Sequence, residues 1–175
     1  LPMRYGYPLY YPEPLDSLPL ELRKRGTSIG DVGIIKPDGL FQFAFNIFTP
    51  QTDTTINRFG VPDGFREMRM DWDLEISRLK HKHTKKSELM TEGTSTPSAA
   101  GFTIGYSVAE SSSESAPLIM PDGAMGEDCT SIDEIRRYSI DHAPSWYEFI
   151  NGKLHRAAPN GSLYVVTGCD KSTSW

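Results

Sequence analysis

Asp71, Asp73, Glu75, Ser77, Leu79, His81 and His83 occupy alternate positions of one stretch, so on a strand they would share a face. Three carboxylates and two imidazoles on one face are the side chains from which a metal site is built. Distance limits that chemistry. At about 3.3 Å per residue, Asp73 and His81 would stand roughly 26 Å apart on a single strand. His81 and His83, about 7 Å apart, could supply half of a zinc site. The alternative for the same pattern is a strand with a solvated acidic face and a charged tip.

Three other groups have the residue types for chemistry. Lys80, Lys82, Lys85 and Lys86, with the two histidines, form a basic run in a chain of net charge -5. Such a run could meet RNA phosphates or anionic lipid. No aromatic residue lies between 80 and 101 to stack a base, so an edge-protecting lysine cluster is the simpler account. Thr167-Gly-Cys-Asp-Lys-Ser-Thr173 carries Lys-Ser-Thr after an apolar run, as a phosphate loop does. That loop needs glycine directly before the lysine, and Asp170 stands there instead, so the stretch reads as a strand-to-loop junction. His142 and Cys169 could form a thiol–imidazole pair if a helix bearing the first packed under a strand bearing the second. Without a glycine elbow or a third orienting residue, His142 reads instead as a core histidine on an apolar stripe. No cofactor is expected.

The elements that would position these groups are short. Ser17–Gly26 is punctuated as a helix, with Ser17 as cap, Pro19 in the first turn and Gly26 as terminator. Asp31–Asn46 predicts a hairpin, with Phe41, Phe43 and Phe45 alternating and Pro37-Asp38-Gly39 as its turn. A long loop follows over 47–66, and a strand is expected over Met70–His83. Residues 84–100 read as a flexible internal linker poor in apolar side chains. Phe102–Val108 alternates again, and Pro117–Met120 is a short apolar strand. The main helix is expected over about 131–151. A Ser131/Glu134 capping box starts it, Pro144 kinks or splits it, and Gly152 ends it. Leu163–Val166 reads as a buried strand.

Composition agrees with an α+β domain of many turns. The chain has 15 glycines and 13 prolines among 175 residues, above the roughly 12% of average usage. An acidic balance gives no support to general nucleic-acid binding, and no apolar run nears the roughly 20 residues that span a bilayer. Cys129 and Cys169 are too few for a disulfide scaffold. They fit a reduced, intracellular chain, with one bridge between them as the alternative.

Asn160-Gly-Ser-Leu-Tyr-Val-Val-Thr-Gly-Cys-Asp-Lys171 resembles a block from a family of uncharacterised proteins of mushroom-forming fungi. Gly6–Tyr10 with Pro12-Glu13-Pro14, Ser28–Gly33 with Pro37-Asp38-Gly39, Pro121–Ala124, and His142-Ala143 with Ser145–Tyr147 and Asn151-Gly152 fit the same family in order. The resemblance covers most of the chain outside about 65–115. It implies a fungal source and a chain that runs on past Trp175, and it carries no catalytic residues. The expectation is a single α+β domain over 1–175, truncated at its C-terminal end: an antiparallel sheet of short strands with the 131–151 helix packed on it. Its expected role is a non-enzymatic, cytoplasmic interaction module of a larger protein. Its expected partner is a protein chain or the missing C-terminal part of the same chain. A small hydrolase, possibly metal-assisted, is the alternative function, and a basic-loop binder of nucleic acid or anionic lipid is the third.

Overall fold

The computed structural model describes residues 15–81, 90–92, 97–98, 101–102, 106–108 and 123–172. The elements in chain order are α1 (Leu20–Arg25), β1 (Asp31–Ile35), β2 (Phe41–Asn46), α2 (Trp72–Glu75), β3 (Ile76–His81), β4 (Met90–Glu92), β5 (Pro97–Ser98), β6 (Gly101–Phe102), β7 (Tyr106–Val108), β8 (Ala124–Cys129), α3 (Ile132–Glu148), β9 (Leu163–Val165) and β10 (Gly168–Lys171). A π-helical turn, Phe149–Lys153, continues α3. Two antiparallel three-stranded sheets, ordered β2-β1-β9 and β10-β8-β3, together with the main helix make the fold α+β.

The chain divides into two compact units. The first contains Leu1–Arg78 and Gly126–Cys169, and the second Leu79–Met125 and Asp170–Trp175. Within the second, β4 pairs antiparallel with β7 (Thr91 opposite Ser107) and β5 with β6 (Ser98 opposite Gly101). Residues 90–92 and 97–98 are therefore strand inside the expected linker. The rest of 84–100 lies outside the described residues, as does Pro117–Met120.

The first unit holds the core. β1 and β2 form the expected hairpin, with a bulge: Val32 faces Phe45 and Gly33 faces Phe43, leaving Ala44 as the extra residue. The bulge and the turn beyond it bury both faces of the strand end, so Ala44, Phe45, Asn46 and Ile47 are all buried in succession. Strict alternation with Phe41, Phe43 and Phe45 puts Gln42, Ala44 and Asn46 on the other face, and the bulge is what buries Ala44 and Asn46 as well. Phe45 is wholly buried and stands edge-on to Phe65, Trp146 and Phe149, at centroid distances of 6.0, 5.5 and 5.8 Å. Burying such a ring stabilises by about 2–3 kcal/mol, and the T-shaped contacts add to it. Trp146 and Phe149 come from α3 and the π turn, so these contacts pack the helix across the hairpin.

Several local expectations need correction. In α1 the N-cap is Pro19, not Ser17, and no side chain caps it, while Gly26 closes it at φ 65° as expected. Ser131 precedes α3 without a side-chain capping bond. Its φ of -91° and ψ of 48° depart from the extended geometry that aims a cap oxygen at the helix. The helix runs unbroken through Pro144, and Gly152 lies inside the π turn instead of ending it. The stretch 71–75 is not strand. Asp71 accepts from the Asp73 and Leu74 N–H groups (3.1 and 3.4 Å), and Glu75 reaches back to the Asp71 N–H (3.2 Å), which closes the short helix α2. Gly168–Lys171 is a strand, not a loop, and Leu163–Val165 is a half-buried edge, not a buried strand.

Candidate functional site

Among the described residues, those singled out from sequence are not brought together into one site. Because α2 replaces the first part of the expected strand, Asp71, Asp73 and Glu75 leave the face that was to carry His81. His81 ends β3, and its side chain and all of His83 lie outside the described residues. Among the described residues no group of three His, Cys, Asp or Glu side chains could hold a metal. Lys80 is exposed on β3, while Lys82, Lys85 and Lys86 lie outside the described residues. His142 is half-buried, with its ring 4.4 Å from that of Tyr138 one turn earlier. Cys169 is half-buried in β10. Cys129 is buried, and its Sγ lies 3.6 Å from Met70 Sδ. Burial pushes the Cys129 thiol up, which disfavours the nucleophilic thiolate. The two thiols are not joined in a disulfide.

A cleft of about 200 Å³ is lined by Asp63, Ser145, Glu148, Phe149 and Lys153. It is smaller than the roughly 300–1,000 Å³ of a small-molecule site. The Ser145 hydroxyl donates to the His142 carbonyl (2.9 Å), so it is not held by a base. The Lys153 ammonium lies 5.4 Å from the Phe149 ring centroid, turned onto the protein's own aromatic face. The cleft therefore lacks a hydrogen-bonded nucleophile and base among the described residues.

The most specifically built feature is the treatment of the sheet edges. On the β2 edge, Asn57 acts as a substitute for a missing neighbour strand. Its Oδ1 accepts from the Asn46 N–H (2.8 Å) and its Nδ2 donates to the Asn46 carbonyl (3.3 Å). The same amide donates to Thr49 O at 2.9 Å, and Asn57 is almost wholly buried. Further along the edge, the Arg156 guanidinium donates to the carbonyls of Phe43 (2.6 Å) and Gln42 (3.3 Å). Burial lowers its pKa from the ordinary arginine value, but it remains a cation.

The backbone is strained to put Arg156 there. His155 and Ala157 on either side adopt positive φ (51° and 49°), a region that costs non-glycine residues about 1–2 kcal/mol each. The strain is held by the Asn151 amide, which donates to Ala158 O (3.0 Å) and accepts from its N–H (2.6 Å). Arg156 N–H bonds back to Ile150 O at 3.1 Å, tying the segment to the π turn.

Asn46 also joins β2 to β1. Its Nδ2 donates to Asp31 Oδ1 (2.9 Å), which Arg25 also contacts at 2.8 Å, while Ser28 N–H donates to Oδ2 at 2.8 Å. Burial nonetheless pushes the Asp31 carboxyl up, against the opposing pull of Arg25, Asn46 and Ser28. Gly30, at φ +84°, makes room for this turn, since a Cβ would sit 2.3 Å from the Phe48 ring.

The opposite edge has no such cap among the described residues. β9 pairs with β1 through Val165 opposite Val32, Tyr164 opposite Gly33 and Leu163 opposite Ile34. Val166 N–H donates to Asp31 O at 2.9 Å. Successive backbone N–H groups of a strand point to opposite sides, so Tyr164 also faces β1, while the N–H and C=O groups of Leu163 and Val165 face away from the sheet. Residues 160–169 carry no charge and no proline, and Tyr164 is 42% exposed. The asymmetry between the two edges is not legible in the sequence, because both β2 caps come from side chains distant along the chain. No helix among the described residues is long and apolar enough to cross a membrane. Comparison with protein-family models, with curated proteins and with solved structures finds no match to this chain.

Proposed function

We propose that the chain is a non-enzymatic interaction module whose working surface is the outer edge of β9, where an extended protein strand adds to the β2-β1-β9 sheet. The observation that carries this reading is the difference between the two edges. Asn57 and Arg156 occupy the backbone groups of β2, and a bulge distorts it, whereas β9 is regular, uncharged and uncapped among the described residues. Natural sheets protect edges that have no use, and strand addition is the common use of one left open. A cytoplasmic setting in a larger fungal protein is part of the proposal. It is supported by two cysteines that are not in a disulfide and by the blocks that resemble the mushroom-fungus family.

The test is a selection of displayed random peptides on the whole chain, repeated on Val165→Pro. That change removes an outward N–H and leaves the Val166 bond to β1 in place. Selected peptides should be extended, and they should lose binding to the proline variant. Peptides that bind both proteins equally, or no selected peptides at all, would overturn the reading.

A further inference from the structure

Resting on the β9 edge, which is uncapped among the described residues, we propose that its occupant is a second copy of this chain, paired antiparallel to β9 about a twofold axis at Tyr164. The outward-facing groups belong to Leu163 and Val165, two positions apart with Tyr164 between them. An axis through Tyr164 sets Leu163 opposite Val165 of the second copy. Each Leu163 N–H then donates to a Val165 carbonyl, each Val165 N–H donates to a Leu163 carbonyl, and every outward group is matched.

The charge pattern favours self-pairing over a foreign strand. At a twofold interface a charge near the axis meets its own sign, which opposes association. Residues 160–169 contain no side chain that is charged at neutral pH, so nothing on this strand repels its copy. Charge placed along a contact is one device by which a foreign partner is selected, and residues 160–169 carry none. Tyr164 supplies the remaining feature, a half-exposed aromatic ring on the axis. It would face its counterpart across a non-hydrogen-bonded pair, where Cα atoms approach to about 4.5 Å and aromatic pairs are favourable.

Sedimentation of the full chain tests this with a charge swap at the axis. At about 0.1 mM the unaltered chain should be a dimer, a modest affinity for a small interface. Tyr164→Lys and Tyr164→Glu should each be monomeric, since each places like charges face to face. An equimolar mixture of the two should recover the dimer. Far-UV circular dichroism checks that both variants fold, and Val165→Pro, which removes an outward donor without adding charge, should also be monomeric. A monomeric unaltered chain would overturn the proposal while leaving the peptide selection to decide the open edge. So would a dimer that survives both charged variants, or a mixture that fails to associate.

Discussion

Asn57 is the residue on which the β2 edge most depends. Its amide serves both the N–H and the carbonyl of Asn46, and all of these groups are buried. Asn57→Ala removes both partners together. Leaving a buried polar group unsatisfied costs about 1–3 kcal/mol, so the variant should lose about 2–4 kcal/mol in a urea melt. The denaturation midpoint should fall with little change in slope. A loss below about 0.5 kcal/mol would mean that water replaces the amide and that the edge is not sealed by this side chain. Tyr138 gives a second prediction at this scale. Its hydroxyl donates to the Arg66 carbonyl, and burial raises its pKa from 10.0 to about 12. The unfolded chain loses this proton first, so stability is unaffected below about pH 10 and falls as pH rises from 10 towards 12. Ultraviolet titration should show a late phenolate, and Tyr138→Phe should remove it. A titration unchanged in Tyr138→Phe would contradict this placement.

Among the elements, those set by local pattern were legible in the sequence. The hairpin follows from three alternating phenylalanines and a Pro-Asp-Gly turn, and α3 from Ile135, Tyr138, Trp146 and Phe149 recurring at helical steps. The misses have local or distant causes that periodicity does not register. Asp71 captures neighbouring N–H groups and turns 72–75 into helix, which a search for alternation reads as strand. Gly168–Lys171 has no strand-like composition and is strand through its place beside β8. A Cβ at Gly168 would meet the carboxylate of the exposed Asp128, which would have to swing aside, and would lie 3.0 Å from Glu127 O, so the close pairing with β8 favours a small residue there. The edge caps were illegible because Asn57 lies 11 residues from Asn46 and Arg156 lies 113 residues from Phe43. Pro144 supplies the prediction for this scale. The helix continues through it, although proline lacks the N–H that would close that turn. Pro144→Ala should therefore stabilise the protein, by about 1–2 kcal/mol after the greater freedom of the unfolded alanine chain is allowed for. A lowered melting temperature would show that the ring contributes packing that outweighs the missing bond.

At the scale of the whole molecule, the two edges of the β2-β1-β9 sheet are not equivalent. One is closed by an amide, a guanidinium and a bulge, with backbone strain at His155 and Ala157 holding the guanidinium in place. The other presents an uncharged strand whose outward groups match those of its own copy. Amide hydrogen exchange along 163–166 reads the state of that edge directly. In dilute protein, Tyr164 and Val166 should be protected by β1 while Leu163 and Val165 exchange quickly, an alternation with period two. At high concentration the Leu163 and Val165 amides should slow by at least about tenfold as the edge is covered. Uniform protection of all four amides at every dilution would contradict the account, because the edge would then be closed within a single chain.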